Sequence, residues 1–241
     1  MKAKIAYLEP TYGNIDPRVK RSHLNAVLTA AKHDLWITHV GGTDQELICH
    51  ARNRLAEAFL NSDCTHAFFV DSDIVLPHWA IVQLMEIDQD ISSGIYFQKL
   101  DPPNLPVIYT KKGFSSWKPS EKYLHHFIVD WEEGCYFPID ACGFGCVLIK
   151  REVFERIKSP WFEFTEKGGE DIRFCVRAKQ KGFQIFAHSG VMCGHIGPNG
   201  EKTYEDFKKY KDKLPVTRVT YDPALGKKTV IRNDFVKVQG E

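Results

Sequence analysis

The sequence has no apolar run longer than about one β-strand, whereas a membrane-spanning helix needs roughly 20 predominantly apolar residues. It therefore predicts no membrane span. The pattern typical of a secretory signal peptide is also missing, because Met1 leads into a short charged strand. We expect a cytoplasmic protein from these two absences.

An excess of charge of one sign is equally absent. The chain has 32 Lys and Arg residues against 31 Asp and Glu residues, and its formal net charge is +1. A nearly neutral protein has no overall field that would attract nucleic acid or an anionic membrane surface. Charged partners must therefore be recognised by local groups of residues, and the composition disfavours nucleic acid.

The seven cysteines include no Cys-x-x-Cys pair, and their number is odd. This spacing fits neither a disulfide framework nor a zinc ribbon. Cys142 and Cys146 are the nearest pair, and on one strand they would point to the same face. We interpret all seven as small buried hydrophobic residues.

Apolar segments of strand length alternate with segments of helical periodicity in the first hundred residues. Thr43 is the expected N-cap of the second helix, with Glu46 three residues further on. The βαβαβ order favours a parallel, doubly wound sheet that binds ligands beyond the carboxyl ends of its strands. The pattern predicts helices at 16–34 and 43–63, and strands at 4–10, at 35–42 and from 65 onward.

The second half of the chain has shorter elements. Residues 101–120 are rich in Pro, Lys and Ser and are expected to form a long loop, and 201–241 is a polar, Lys-rich tail that begins with a helix. No repeat or linker divides the chain, so we predict one domain with a mixed sheet. The other expected elements are strands near 123–129, 136–150 and 183–197 and short helices at 151–157 and 168–182.

Two carboxylates, Asp71 and Asp73, end the third strand in the segment "AFFVDSDIVLP". On a strand, residues two apart point to the same side, so both would face the ligand crevice. At a separation of about 6 Å and an effective dielectric near 20, they repel by roughly 2–3 kcal/mol. Such a pair favours a hard divalent cation, Mn²⁺ or Mg²⁺, although a solvated turn is the alternative interpretation.

Three segments occur in an order that resembles the GT-A glycosyltransferases of the family 2 type. They are "ARNRLAEAFLNSDCTHAFFVDSDIVLP", "GFGCVLIKREVFERI" and "WFEFTEKGGEDIRFCVRAKQKGFQIFAHSGVMCGHIG". The Gly-Gly-Glu-Asp helix of the third is similar to that of β-1,4-galactosyltransferases. The resemblance implies an α/β fold, a GT-A-like (Rossmann-like) mixed sheet with helices on both faces.

The same resemblance implies that a sugar is moved from a UDP- or GDP-sugar donor, with Mn²⁺ or Mg²⁺, to a glycan, lipid-linked or protein acceptor. It divides the single domain 1–241 into a nucleotide-sugar-binding half, 1–100, an acceptor and catalytic half, 101–200, and a tail or lid, 201–241. Lys202 and Lys208 would lie near the diphosphate if the tail closes.

The resemblance also assigns roles to individual residues. Asp171 would be the base that takes the acceptor proton, which gives inversion, and Glu170 would hold a sugar hydroxyl. The helix dipole predicts a low pKa for Asp171, and helix capping alone is the alternative reason for both carboxylates. The metal ligands would be Asp71, Asp73 and His195, and the donor contacts would be Pro10, Thr11, Tyr12, Arg52, Asp71, Ser72, Asp73, Gly143 and Gly145.

Simpler interpretations remain open for several of these residues. His195 can be structural, Arg52 can be a solvated helix residue like Arg54, and residues 10–12 can be a plain turn. Trp161 and Phe162 can offer an aromatic platform to a sugar or pack in the core. Tyr96, Phe97, Lys99 and the loop 101–120 are expected to border the acceptor.

Two other functions compete with sugar transfer. A catalytically silent protein that binds a nucleotide sugar or a glycan would need the metal and nucleotide contacts but not Asp171. Nucleotidyl transfer also uses paired Asp residues and a metal, but no Gly-rich, Lys-bearing loop follows the first strand.

Overall fold

The computed structural model describes residues 3–99, 102, 104–111, 125–165, 169–214 and 216–233. The helices are α1 (Pro17–Lys32), α2 (Ile48–Leu60), α3 (Ala80–Glu86), α4 (Arg151–Arg156), α5 (Glu170–Gln180) and α6 (Tyr204–Lys211). The strands are β1 (Lys4–Thr11), β2 (Trp36–Asp44), β3 (His66–Val70), β4 (Ile74–Val75), β5 (Ile91–Ile95), β6 (Ile108–Lys111), β7 (His125–Phe127), β8 (Asp130–Trp131), β9 (Tyr136–Ile139), β10 (Ala141–Cys142), β11 (Cys146–Lys150), β12 (Ile185–Met192), β13 (Gly194–Gly197), β14 (Gly200–Lys202), β15 (Val216–Asp222) and β16 (Lys227–Asn233). Among these residues, none of the helices combines the length and the apolar character that crossing a bilayer requires.

Seven strands form the central sheet in the spatial order β2-β1-β3-β11-β5-β12-β9. Strands β2 and β3 are parallel to β1, and β12 is parallel to β5. Strand β11 runs antiparallel between β3 and β5, and β9 pairs antiparallel with β12 at one edge. One antiparallel strand, β11, thus lies inside an otherwise parallel sheet, and a second, β9, lies at its edge. This is the mixed sheet that the sequence predicts.

Helices cover both faces of this sheet, and each face has its own buried core. On one face, α1 and α3 pack through side chains such as Ala30 and Leu84. On the other face, α2, α4 and α5 contribute Phe59, Phe154 and Phe174, all almost fully buried. The α/β fold class predicted from the sequence, a mixed sheet with helices on both faces, is confirmed.

The two long helices of the first half begin differently. Helix α1 opens at the predicted Asp-Pro pair, where the Asp16 carboxylate accepts from the Arg18 N–H at 2.8 Å. The predicted cap at Thr43 is wrong, because β2 extends through Asp44 in parallel register with the end of β1. Helix α2 instead begins after Leu47, without a side-chain cap.

The segment expected to be a long loop contains a strand. Strand β6 pairs antiparallel with β10 on one side and β7 on the other, and Ile108 is fully buried. Its alternation of buried and half-buried residues was hidden by the Pro, Lys and Ser residues around it. Residues 101, 103 and 112–120 of the expected loop lie outside the described residues, as do the four residues 121–124 that follow it.

The described part of the C-terminal tail is packed against the domain. The predicted helix is α6, which begins at a capping box formed by Thr203 and Asp206. Phe207 of this helix is fully buried, with its ring 5.3 Å from Phe97 and 6.0 Å from Trp131 between centroids. The hairpin β15–β16 that follows pairs with β8 and was not predicted.

The seven cysteines are free thiols, and all except the half-buried Cys135 are buried. Cys142 and Cys146 lie on β10 and β11, so they do not share one face of a strand. Their interpretation as small apolar residues of the interior is confirmed for the six buried ones.

Replacing Phe207 with Ala tests whether the tail belongs to the core. Because the ring is fully buried between aromatic neighbours, we expect Phe207→Ala to lower the free energy of unfolding by about 3–5 kcal/mol in urea denaturation. Phe164→Ala is the matched control, since that side chain is 56% exposed. Equal, small losses in both variants would contradict the anchoring of α6.

Candidate functional site

The predicted site residues lie at one edge of the central sheet, where its parallel strands end. Tyr12 follows β1, Asp71 follows β3, Tyr96 follows β5 and His195 comes shortly after β12. Helices α2 and α5 begin at this edge as well, because α2 follows β2 and α5 leads back to β12. Ligand crevices of open α/β sheets occur at such an edge.

Arg52 is the buried centre of the site. Only 3% of its side chain is exposed, and its Nη2 donates to Asp71 Oδ1 at 2.8 Å and to Oδ2 at 3.1 Å. Its Nη1 donates to Glu170 Oε1 at 2.5 Å. Burial alone would lower the pKa of Arg52, but the charges of Asp71 and Glu170 outweigh it and raise that pKa. One permanently charged guanidinium therefore joins the end of β3 to the start of α5.

Residues 71–73 form a turn, which changes the expected direction of the two Asp side chains. The Ile74 N–H donates to the Asp71 carbonyl at 3.1 Å, and β4 begins directly afterwards. The alternation of a strand therefore does not apply, and Asp71 points to Arg52 whereas Asp73 pairs with His195. Ser72, between them, is half-buried.

His195 reaches Asp73 because two short strands pair. In the antiparallel pair β4–β13, His195 lies opposite Ile74, and the Ile196 N–H donates to the Asp73 carbonyl at 2.8 Å. The His195 Nδ1 is 2.6 Å from the Phe97 carbonyl oxygen, and its Nε2 is 3.3 Å from Asp73 Oδ1. Since a carbonyl only accepts, Nδ1 carries a proton. Nε2 faces the carboxylate, to which it donates when it is also protonated and presents a lone pair when it is not.

These two donor atoms fit a divalent cation. Asp73 Oδ1 is buried and has no hydrogen-bond partner, and the unprotonated Nε2 of His195 would offer a second electron pair beside it. Two ligand atoms that bind one ion at right angles, each with a bond of about 2.1 Å, lie about 3 Å apart. The observed distance between Asp73 Oδ1 and His195 Nε2 is close to this, at 3.3 Å. Oxygen and imidazole nitrogen suit Mn²⁺. Within the described part of the chain, no group of three or more His, Cys, Asp or Glu side chains is arranged to hold a metal.

The second oxygen of Asp73 is bound by a lysine. Lys99 Nζ forms an ion pair with Asp73 Oδ2, so the residue expected at the acceptor border contacts a predicted metal ligand instead. Burial would raise the pKa of Asp73, but the hydrogen bonds and charges of His195 and Lys99 outweigh it and lower that pKa. Asp73 is therefore ionised at neutral pH.

Asp171 is half-buried beside this cluster, and its pKa differs from the expectation. Burial raises the pKa of Asp171 to about 6; the charge of Arg52 opposes this rise and that of Glu170 adds to it. A shift of about two units corresponds to about 3 kcal/mol, more than the 0.3–1 kcal/mol that a helix terminus typically supplies. The predicted low pKa is wrong because desolvation outweighs the dipole, and the carboxyl suits general-base chemistry near neutral pH.

Gly143 and Gly145 contact Tyr96, which the sequence analysis expected at the border of the acceptor. A Cβ on Gly143 would lie 1.9 Å from the Tyr96 hydroxyl, and one on Gly145 would lie 2.9 Å from Tyr96 Cζ. The Gly145 N–H donates to this hydroxyl at 3.3 Å. The Tyr96 ring stands edge-on to His195, with centroids 5.2 Å apart. Both glycines therefore make room for the ring that supports His195, and their contact with the donor stays a prediction.

Asn53, the neighbour of Arg52, is a positioning residue that the sequence analysis missed. Its Oδ1 accepts from the N–H groups of Trp161 and Phe162 at 2.9 and 3.1 Å, and its Nδ2 donates to the Phe162 carbonyl. Phe162 is 1% exposed, and the Trp161 indole donates to the Phe154 carbonyl. Of the two interpretations of these aromatic residues, core packing is the one observed for Phe162.

The remaining predicted residues divide by exposure. Pro10 is buried, Thr11 is half-buried, and Tyr12 is 77% exposed at the end of β1, where an aromatic ring is free to stack on a ligand. Phe97 is fully buried and Tyr96 nearly so, so the expectation that these two rings border the acceptor is wrong. The apolar character of Tyr96 and Phe97 was the signal in the sequence that these two rings are buried, whereas the nearby Lys99 is half-exposed.

Comparisons with known proteins identify the fold. No protein-family model matches the sequence, and no curated protein matches it. Among solved structures, A197 from STIV is similar over 99% of this chain and 98% of its own, with 20% sequence identity and a TM-score of 0.53. This similarity shows a shared fold over the whole domain.

A second solved structure is similar at a lower level. GalNAc-T7, crystallised with UDP, GalNAc and Mn²⁺, aligns with 88% of this chain and 48% of its own, with 11% identity and a TM-score of 0.47. A superposition this loose carries no argument about function. The function of this chain must be argued from its own residues.

Replacing Arg52 tests the central ion cluster. Arg52→Met removes the charge and leaves two carboxylates buried without compensation, so we expect a loss of about 3–5 kcal/mol in the free energy of unfolding at pH 7.5, about neutral. Arg54→Met, two residues away on an exposed side chain, should cost less than about 1 kcal/mol. An Arg52→Met protein as stable as Arg54→Met would show that the cluster does not hold the edge together.

Proposed function

We propose that this chain is a metal-dependent glycosyltransferase that moves a sugar from a UDP- or GDP-sugar to a glycan, lipid-linked or protein acceptor, with inversion. The observation that carries the proposal is the joining of two distant motifs by Arg52. It brings the turn 71–73 and the start of α5 into one cluster at the ligand edge of the sheet. A cytoplasmic location remains a prediction from the sequence.

The cluster supplies the two chemical functions that sugar transfer needs. Asp73 and His195 present an oxygen and a nitrogen that would hold Mn²⁺ or Mg²⁺. When bound, the ion supplies positive charge that stabilises a departing diphosphate. Arg52 holds Asp71 and Glu170 in fixed directions, so that the remaining lone pairs of their oxygen atoms can accept from sugar or ribose hydroxyls.

Asp171 is the proposed general base. Its pKa of about 6 leaves it ionised at about pH 7.5. It is still basic enough to take the proton of an acceptor hydroxyl as the new bond forms. Attack from the face opposite the leaving group inverts the anomeric centre. Glu170 next to it cannot take this role as readily, because Arg52 already binds Glu170.

The alternative is a protein of the same fold that binds a nucleotide sugar or glycan without turnover. It would need Asp73, His195 and the exposed Tyr12, but it would have no use for a partly desolvated carboxyl at position 171. Holding Asp171 beside Glu170 and Asp71 is unfavourable for folding, which favours a chemical role for it. This observation supports the proposal of transfer over binding alone.

Metal binding can be measured without any sugar. Titration of the protein with Mn²⁺, followed by the EPR signal of the free ion, should give saturable binding that Asp73→Asn weakens by about 10-fold or more, because a ligand charge is lost. Asp63→Asn is the matched control, since Asp63 is exposed and pairs with Lys4. Unchanged Mn²⁺ affinity in Asp73→Asn would exclude this metal site.

The role of Asp171 predicts opposite effects on activity and stability. Asp171→Asn should lower transfer, or donor hydrolysis without acceptor, by about 100-fold or more with little change in UDP or GDP affinity. The wild-type kcat/KM should rise with pH through a midpoint near pH 6, about the pKa of Asp171. Proton NMR of the first product should show the inverted anomer.

The stability of the same variant provides the control. A carboxyl whose folded-state pKa is raised destabilises the protein above that pKa and has no effect below the unfolded value. At about pH 8, above that pKa, Asp171→Asn should therefore unfold at a higher temperature than the wild type. The difference in unfolding temperature should vanish at about pH 3.5. Full activity of Asp171→Asn, or a product with the donor's anomeric configuration, would contradict the assignment.

A further inference from the structure

The two side-chain cations of the site are held in different ways. The Arg52 guanidinium is 3% exposed and makes hydrogen bonds to two carboxylates. The Lys99 side chain is 39% exposed and its ammonium pairs with one carboxylate, Asp73, which is itself 33% exposed. A half-exposed pair of this kind contributes about 0–1 kcal/mol, whereas breaking a buried one costs several. Arg52 is therefore fixed, and Lys99 can be displaced.

The backbone of Lys99 is nevertheless held close to Asp73. The Phe97 carbonyl, two residues earlier, binds His195 Nδ1 at 2.6 Å. Gly197 packs against Lys99, and a Cβ there would lie 3.1 Å from Lys99 Cβ and 3.3 Å from its carbonyl oxygen. The strand that positions His195 thus also positions the base of the lysine side chain. The ammonium can move while its Cα stays beside the site.

The charge of the site explains why a movable cation is needed. Asp71 interacts electrostatically with Asp73 and Asp171, and Asp171 interacts with Glu170. Among the described residues, Arg52 and Lys99 oppose these carboxylates with full charges. A divalent ion on Asp73, together with Arg52 and Lys99, would balance the four carboxylates, but the ion would share Asp73 with the Lys99 ammonium. The arriving diphosphate adds negative charge in turn, and it offers the displaced ammonium a new partner.

We propose that Lys99 is an exchangeable counterion, which neutralises Asp73 in the metal-free protein and moves to the donor diphosphate when the metal binds Asp73. This role rests on the proposed function. Lysine suits it, because its ammonium is a compact charge on a flexible stem, and it binds phosphate oxygens without a fixed geometry. Lys99 then belongs to the donor site and not to the acceptor border.

The exchange predicts effects of opposite sign on two binding steps. In an Mn²⁺ titration without nucleotide, Lys99→Met should bind the ion about 5-fold tighter or more, since the competing ammonium is gone. At saturating Mn²⁺, the same variant should bind UDP, or GDP if that is the nucleotide the wild type binds, about 5- to 10-fold more weakly. Both are measured on the full chain by EPR and calorimetry.

Two further variants separate this role from simpler ones. Lys99→Arg keeps the charge and should restore nucleotide affinity to within about 3-fold of wild type. Lys209→Met removes a positive charge from α6, where the Lys209 side chain is 66% exposed and pairs with Asp206, whereas Asp73 pairs with Lys99. It should change Mn²⁺ affinity by less than about 2-fold, because exposed charges are screened.

The outcomes distinguish this inference from the function on which it rests. If the wild type binds no Mn²⁺, the proposed function and the exchange both fail. If it binds Mn²⁺ and Lys99→Met binds the ion equally or less tightly, the exchange alone fails. An equal gain in Lys209→Met would attribute the effect to the general field of the protein and would likewise overturn a specific role of Lys99.

Discussion

The ion cluster around Arg52 is the interaction on which the rest of the site depends. A guanidinium in the interior loses its hydration, and the two carboxylates that it binds compensate for this loss. Those carboxylates come from the turn after β3 and from the first residue of α5. The cluster therefore fixes how a helix from the second half of the chain meets the strand ends of the first half, and it sets the direction of Asp71.

Stability and function are separated within the same edge of the sheet. Arg52, Asp71 and Glu170 form the buried side, where side chains are fixed and breaking a contact is costly. Asp73 and Lys99 form the more exposed side, where ion pairs are weak and where we propose that a ligand exchanges with Lys99. Asp171 lies next to the buried side, and its raised pKa is the consequence of that burial. A fixed frame beside exchangeable charges is the arrangement expected of a site that binds and releases an anionic ligand.

Much of the fold was accessible from the sequence, because its signals are local. The strands β1 and β3 and the helices α1 and α5 follow from hydrophobic periodicity and turn residues. The errors occur where a pairing partner decides the secondary structure. Strand β2 includes Thr43 because it pairs with the end of β1, and β6 is a strand because it pairs with β7 and β10. Neither partner is visible in the sequence near the segment concerned.

For the site, the sequence by itself determined which residues are proposed to carry the chemistry and near which strand ends they lie. Asp71, Asp73, Glu170, Asp171 and His195 all occur at the edge where parallel strands end. Only the tertiary structure decided which groups these carboxylates contact. Asp71 binds Arg52, Asp73 pairs with His195 and Lys99, and Asp171 lies in a desolvated position. The reason is physical, since side-chain direction, burial and pKa depend on groups that are distant along the chain and adjacent only after folding.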